Sequence, residues 1–371
     1  MRGDEEGQEA FIVFESLEDR VPPDHPLRSI RRLVDEALRK MSPLFDSLYA
    51  EKGRVSIPPE CLLRALVLQT LYGIPSERKL CEHLEYNLLF RWFVGLRFSQ
   101  GAWHPTSFTK NRDRILTAEV AGIFFEKIRE QAEAKKFLSR EHFSVDGTLI
   151  EAAASLKSFR PKDEGEDQDG GDIPTRGTGR NPTVDFHGER RSNTTHASRT
   201  DPEARLARKG RGKEAKLAYA GHIVVENRNG LIVDCTLTKA TGTAEEDAAL
   251  TLLTRERSRC KGGLTVGADK GYNTKNFVKK TRSLRITPHV AEKRKHNAID
   301  QRTTGWEGYA TSQRRRKIVE EPFGWMKVTG GLRKLRHRGE EKVRAVFAFT
   351  CACFNLVRLK NLEAKLCPAW G

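Results

Sequence analysis

Three acids in this chain sit where phosphodiester chemistry would want them: Asp146 in VDGT, Asp269 in VGADKGYN and Glu320 in QRRRKIVEEPFGWMK. The first two close segments that read as strands. If those strands are neighbours, their backbones run about 4.8 Å apart and the two carboxylates can share one ligand. A glutamate from a helix lying across the strand ends would complete an all-oxygen cage, the donor set that Mg2+ prefers. Two such ions about 3.5 to 4 Å apart are the usual machinery of in-line displacement at phosphorus. Without cations, three converging carboxylates repel and at least one is driven to protonate.

The glutamate must be chosen from an adjacent pair. At about 100° per residue, Arg316, Glu320 and Lys327 fall within an arc of roughly 40° on one helical face, which suits a metal ligand flanked by phosphate-binding cations. Glu321 points about 100° away. It stands four residues after Lys317, the spacing of an ordinary surface ion pair. Glu320 is therefore the expected ligand, and Pro322 is expected to kink the helix by removing a hydrogen bond.

Taken singly, each residue has a plainer reading. Asp146 before Gly147 suits a turn and Asp269 a helix cap. His142, His222, His289 and His337 have no ligand-like spacing. Trp306, Tyr309, Phe323 and Trp325 read as core packing before base stacking. The seven cysteines never form C-x-x-C, so reduced core thiols are expected rather than a disulfide framework or a zinc site.

The charge points to a polyanion. The 371 residues carry a net charge of +16, and between Lys275 and Arg338 there are 18 Lys and Arg against 5 acids, so most of the excess lies in one segment. Clustered cations gain affinity for phosphates by releasing condensed counterions. The N-terminus is acidic and no run of about 18 uninterrupted apolar residues occurs, so neither a secretory signal nor a membrane span is expected, and the reading is cytoplasmic.

These residues need elements to position them. Residues 1–135 read as a helical N-terminal domain, with IPPECLLRALVLQTLYGI ending at Gly73 and with Ser76, Asn87 and Thr106 as helix caps. Short helices with tight turns resemble a helix-turn-helix module, in which Arg78, Lys79 and Arg91 are phosphate contacts and Lys110, Arg112 and Arg114 further cations, although a small helical bundle without DNA contacts, serving a dimer, has the same pattern. At residue 140 the period changes to that of a strand ending near Asp146. Residues 155–214 read as a largely irregular insertion rich in Gly, Pro and charge, and its DEGEDQDGGD lacks the spacing of a calcium loop. KLAYAGHIVVE and GLIVDCTLT flank an Asn-Gly hairpin signal, and alternating helices and strands follow. The order implies an α/β mixed sheet with helices packed on it, in a catalytic domain over 136–362.

The spacing R-x3-E-x6-K at Arg316, Glu320 and Lys327, with DGT and ADKGYN, resembles the DDE transposases of bacterial insertion sequences, nearest the group named after insertion sequence five. The similarity extends through LYGIPSERKLCEHLEYNLLFRWFVGL, WHPTSFTKNRDR, SNTTHAS, DPEARLARKG, GKEAKL, ENRNGL and GGLRKLRHRG, from about residue 15 to 360. The resemblance implies an RNase H-like fold with an internal insertion and Mg2+-dependent cleavage of double-stranded DNA at terminal inverted repeats, with Mn2+ as a substitute ion. It also implies joining to target DNA by a homodimer. The site it implies is Asp146, Asp269 and Glu320, with Arg314, Arg315, Arg316, Lys317, Lys327, Arg333, Lys334, Arg336 and Arg338 on the DNA. Where the wider superfamily often has Tyr three residues before the Arg, this chain has Gln313. A nuclease without strand transfer and a silent DNA-binding regulator are the alternatives; the complete acid triad argues against the regulator.

Overall fold

The structure, a computed structural model, describes residues 16–49, 56–162, 191–210, 213–242 and 244–366. The acidic run at 163–172 lies outside them. Seven helices open the chain: α1 (Leu17–Arg20), α2 (Pro26–Leu48), α3 (Pro59–Leu71), α4 (Glu77–Tyr86), α5 (Leu88–Val94), α6 (Pro105–Ile115) and α7 (Ala118–Ala134). Ser76 and Asn87 cap α4 and α5 as the sequence suggests, accepting from the amides of Lys79 and Phe90 at 3.1 Å each. Thr106 is not a cap. With Pro105 at the first helical position, the cap of α6 falls on His104, whose ring accepts from the Thr106 amide at 3.3 Å.

The strands are β1 (His142–Glu151), β2 (Phe159–Pro161), β3 (His196–Ser198), β4 (Arg205–Arg208), β5 (Ala215–Glu226), β6 (Ile232–Lys239), β7 (Leu264–Ala268) and β8 (Ile286–Val290). The main sheet runs β5-β1-β7-β8; β4 and β6 pair with the two halves of β5, and β2 and β3 form a separate small ribbon. β1 is antiparallel to β5 but parallel to β7, which is parallel to β8. The described parts of the insertion thus contribute β2, β3 and β4, more regular structure than their composition suggested. Asn227–Gly230 turns the β5–β6 hairpin, and Gly230 takes φ +74°, which favours glycine.

The remaining helices are α8 (Ala244–Arg259), α9 (Lys275–Ser283), α10 (Gln301–Thr304), α11 (Glu307–Arg315), α12 (Glu320–Val328) and α13 (Glu340–Leu366), with a 3-10 turn over Arg316–Val319 joining α11 to α12. Side chains alternate across β1. Phe143 and Val145 pack with α8 and α9, whereas Ile150 joins α13, α7 and the N-terminal helices in one continuous apolar core. α13 was not foreseen as an element. By length and composition it would span a membrane, but 67% of its apolar window is buried inside the protein, so it is a core helix. Its Asn355 amide accepts from the Ile232 N–H at 2.9 Å and donates to the Ile232 carbonyl at 2.8 Å, fixing the start of β6.

Six of the seven cysteines are described, all free thiols, four of them buried. Phe323 is buried and Trp325 packs on Phe354, but Trp306 is 72% exposed and takes no part in the core.

Candidate active site

Asp146 and Asp269 each lie two residues past Ser144↔Gly267, the last paired position of the parallel strands β1 and β7. Carried two residues on, the register sets Asp146 on β1 opposite Asp269, which lies one residue past the end of β7, where the pairing stops. β1 itself does not stop at Asp146 but continues to Glu151 on β5. Each aspartate is steadied by a nearby amide: Gly147 N–H donates to Asp146 Oδ1 at 2.8 Å, and Gly271 N–H to Asp269 Oδ1 at 2.6 Å.

Ser144, Asp146 and Thr148 share the face of β1 that meets the α11–α12 segment. A Cβ on Gly267 would lie 3.2 Å from both Ser144 Oγ and Ser312 Oγ and 3.5 Å from Arg316 Cβ, so the 3-10 turn sits directly on the sheet. Arg316 lies close enough to Asp146 to favour its charged form, and the Arg316 Nε is buried without a partner among the described residues. From the last turn of α12, Lys327 Nζ donates to Thr148 Oγ1. Two of the three residues spaced as R-x3-E-x6-K thus reach the strand that carries Asp146.

Glu320 is exposed at the first position of α12. The expected single helix is broken, though not at Pro322, which falls in the first turn of α12 and is buried there. A first-turn proline has no intrahelical bond to lose. The break is the 3-10 turn before it, which winds about 120° per residue and so sets Arg316 and Glu320 roughly 80° further apart than an α-helix would. Glu320 and Lys327 remain roughly 20° apart on one face of α12. Glu321 does not pair with Lys317; it faces Arg358 of α13 at 3.3 Å.

The electrostatics of the site follow from burial and like charge. Burial first, then the carboxylates of Asp269 and Glu245, push Asp146 up to about 7, against the pull of the Gly147 amide and Arg316. Burial and Asp269 likewise raise Glu245. Lys327 is held below its ordinary value by burial and by Lys209 and Arg333, with Asp146 opposing. Glu245, Tyr272 and Lys209 had no assigned role in the sequence. Tyr272 stands three residues after Asp269 inside ADKGYN, the one signal that could have flagged it. Among the described residues no three His, Cys, Asp or Glu side chains are gathered closely enough to enclose an ion as they stand. The donor set nevertheless suits a hard dication, being carboxylate oxygen alone with a mutual repulsion that a cation relieves.

Around the acids, Arg314, Arg315, Lys317, Arg333 and Arg338 are exposed, as are Lys334 and Arg336. Lys334 pairs with Glu151 at 3.6 Å, and Arg336 donates to the Ile74 carbonyl at 3.1 Å. Arg78 is exposed, and Lys79 pairs with Glu82 at 2.9 Å. Three further cations read as phosphate contacts are likewise engaged within the protein. Arg91 is buried and donates to the carbonyls of Leu84, Arg97, Phe98 and Gln100. Arg112 pairs with Glu77 at 2.5 Å and Asp113 at 2.7 Å, and Arg114 stacks 4.5 Å over the Tyr49 ring.

Residues 15–114 match the family model described as Transposase domain (DUF772), and residues 138–356 match that described as Transposase DDE domain. No curated protein matches. Among solved structures, the chain is similar to the piggyBac transposase synaptic complex with hairpin DNA, at TM-score 0.40 and 10% identity over 92% of this chain and 76% of that one. It is also similar to the Mos1 transposase paired-end complex with left transposon end, at TM-score 0.20 and 12% identity over 79% and 86%. Likenesses this distant carry no weight of their own. The DDE model alone covers well over half of the chain, and with it come the RNase H-like sheet order and divalent-metal-dependent DNA cleavage and strand transfer: this chain belongs to the DDE transposases.

Proposed function

We propose that the chain is the transposase of a bacterial insertion sequence, in the group named after insertion sequence five. It binds the terminal inverted repeats as a homodimer, cuts there and joins the freed 3′-hydroxyl to target DNA, working in the cytoplasm on the nucleoid. The observation that carries this reading is Asp146 on β1 and Asp269 just past the end of the parallel neighbour β7, each two residues beyond the last pair, with Arg316 and Lys327 near Asp146.

In this reading Asp146, Asp269 and Glu320 hold Mg2+, with Mn2+ as a substitute. When bound, the ions supply Lewis acidity, lowering the pKa of a water or 3′-hydroxyl and stabilising the leaving oxygen. Arg316 and Lys327 position the scissile phosphate against Asp146. Arg314, Arg315, Lys317, Arg333, Lys334, Arg336 and Arg338 take up the flanking backbone, where each phosphate neutralised adds affinity that salt removes. Arg78 and Lys79 extend the contact on α4. The Asp146 carboxylate must be ionised to act, and the same cation that it binds overcomes the push of its acidic neighbours.

Asp146→Asn and Asp269→Asn test this. Each should abolish strand cleavage in Mg2+ while DNA affinity, supplied by the basic segment, stays near wild type. Cleavage surviving in either variant overturns the assignment.

A further inference from the structure

Glu245 is the second residue of α8, whose first turn carries three acids, Glu245, Glu246 and Asp247. Acids there ordinarily do no more than favour the helix dipole. Glu246 is half-buried and accepts from Asn276 of α9 at 3.5 Å, away from the aspartates, whereas Glu245 is partly open to solvent. Glu245 turns back over the sheet. Its Oε1 accepts from the hydroxyl of Tyr272 at 3.3 Å, and Tyr272 is buried in the loop that begins with Asp269. A Cβ on Gly147, the residue after Asp146, would lie 3.1 Å from the same Oε1. The glycine therefore leaves the room into which this carboxylate folds. The Gly147 amide, already bonded to Asp146, also favours the charged form of Glu245.

A second observation marks the same point. His222 on β5 is buried, its Nε2 shares a hydrogen with Thr238 Oγ1 at 2.8 Å, and its Nδ1 has no partner among the described residues. That Nδ1 would lie 2.9 Å from the same Gly147 Cβ, aimed into the space that Glu245 enters. A third carboxylate beside Asp146 and Asp269 is a repulsive placement for the folded chain alone. A shared hard dication, attracted to carboxylate oxygen, makes it favourable.

We infer that Glu245 is a fourth acidic member of the divalent-metal centre, held by Tyr272 and Gly147, and that it meets Asp146 and Asp269 from the α8 side of the sheet. The inference rests on the reading of Asp146 and Asp269 as metal ligands. Glu320, exposed at the start of α12, lies in the helical layer on the other face of the sheet. The centre then draws on both layers of the fold.

The test is Mn2+ binding by the full-length protein without DNA, followed by calorimetry and by the Mn2+ electron paramagnetic resonance signal. Glu245→Gln should lower Mn2+ affinity about tenfold or more, while Glu246→Gln should leave it unchanged. Asp146→Asn runs in parallel. If Asp146→Asn loses Mn2+ and Glu245→Gln keeps wild-type affinity and stoichiometry, the inference falls and the metal centre stands. If Asp146→Asn also binds as wild type, both fall. Melting in EDTA checks the fold. Should Glu245→Gln melt far below wild type, Glu245→Asp keeps the charge but withdraws it by one methylene, and unchanged Mn2+ affinity there also overturns the inference.

Discussion

Replacing Asp146 by asparagine should stabilise the metal-free protein at the pH where the enzyme works. Asp146 stands at about 7 in the folded chain against an ordinary 3.8, raised chiefly by burial and then by Asp269 and Glu245. An acid raised in this way contributes stability that is whole below its unfolded value and is lost as pH climbs through its folded value. The loss therefore runs from about pH 4 to about pH 7 and is complete by pH 8. A shift of about three units corresponds to at most about 4 kcal/mol. Asp146 is only half-buried and solvent screens part of the repulsion, so about 1 to 2 kcal/mol is expected, or about 1 to 3 °C in melting temperature for a chain of this size. Asparagine keeps an oxygen for the Gly147 amide and removes the charge. Thermal melts in EDTA should therefore show Asp146→Asn above wild type by that margin at pH 8, with the gap closing at pH 5. A variant that melts below wild type at pH 8, or a gap that does not change between pH 5 and pH 8, would refute this account of the repulsion.

Other substitutions separate chemistry, binding and structure. Glu320→Gln should eliminate cleavage whereas Glu321→Gln, whose partner is only the exposed contact with Arg358, should cost little in a cleavage assay; the reverse pattern would put the wrong glutamate in the site. Alanine at Arg314, Arg315 and Lys317 together should reduce the slope of log affinity against log salt by about 3, read by titrating DNA at several salt concentrations. Arg91→Met should leave DNA affinity unchanged but lower stability by about 3 kcal/mol in denaturant unfolding, because the buried carbonyls of Leu84, Arg97, Phe98 and Gln100 lose their donor. A loss of DNA affinity there without loss of stability would return Arg91 to the DNA surface.

What could be read from the sequence depended on how local its cause was. Ser76, Asn87 and the Asn-Gly hairpin were legible because caps and turns are decided within a few residues. The pairing of Asp146 with Asp269 was legible only as a condition, that their strands be neighbours, and the β1–β7 register meets it. α13 was missed because a helix buried on nearly every side has no polar face to give it a period. The 3-10 break before Glu320 was missed because nothing in RRRKIVEEP announces it; Pro322 drew attention instead and sits where proline is tolerated. Arg91 and Arg112 were read by charge, and charge does not reveal that a cation points inward to carbonyls or to Glu77. Glu245 was invisible for a different reason: it is nearly a hundred residues from Asp146 along the chain, and only the fold brings α8 back over Gly147.

The most direct test of the account is a single reaction of purified protein with DNA carrying the element's ends and their flanks, in Mg2+, comparing wild type with Asp269→Asn for binding, cutting and joining. Wild type should cut at the element's ends to leave free 3′-hydroxyls and should form joined product, whereas Asp269→Asn should bind the same DNA with near wild-type affinity and form neither product. Cut or joined DNA from Asp269→Asn would contradict the claim that these paired aspartates carry the chemistry.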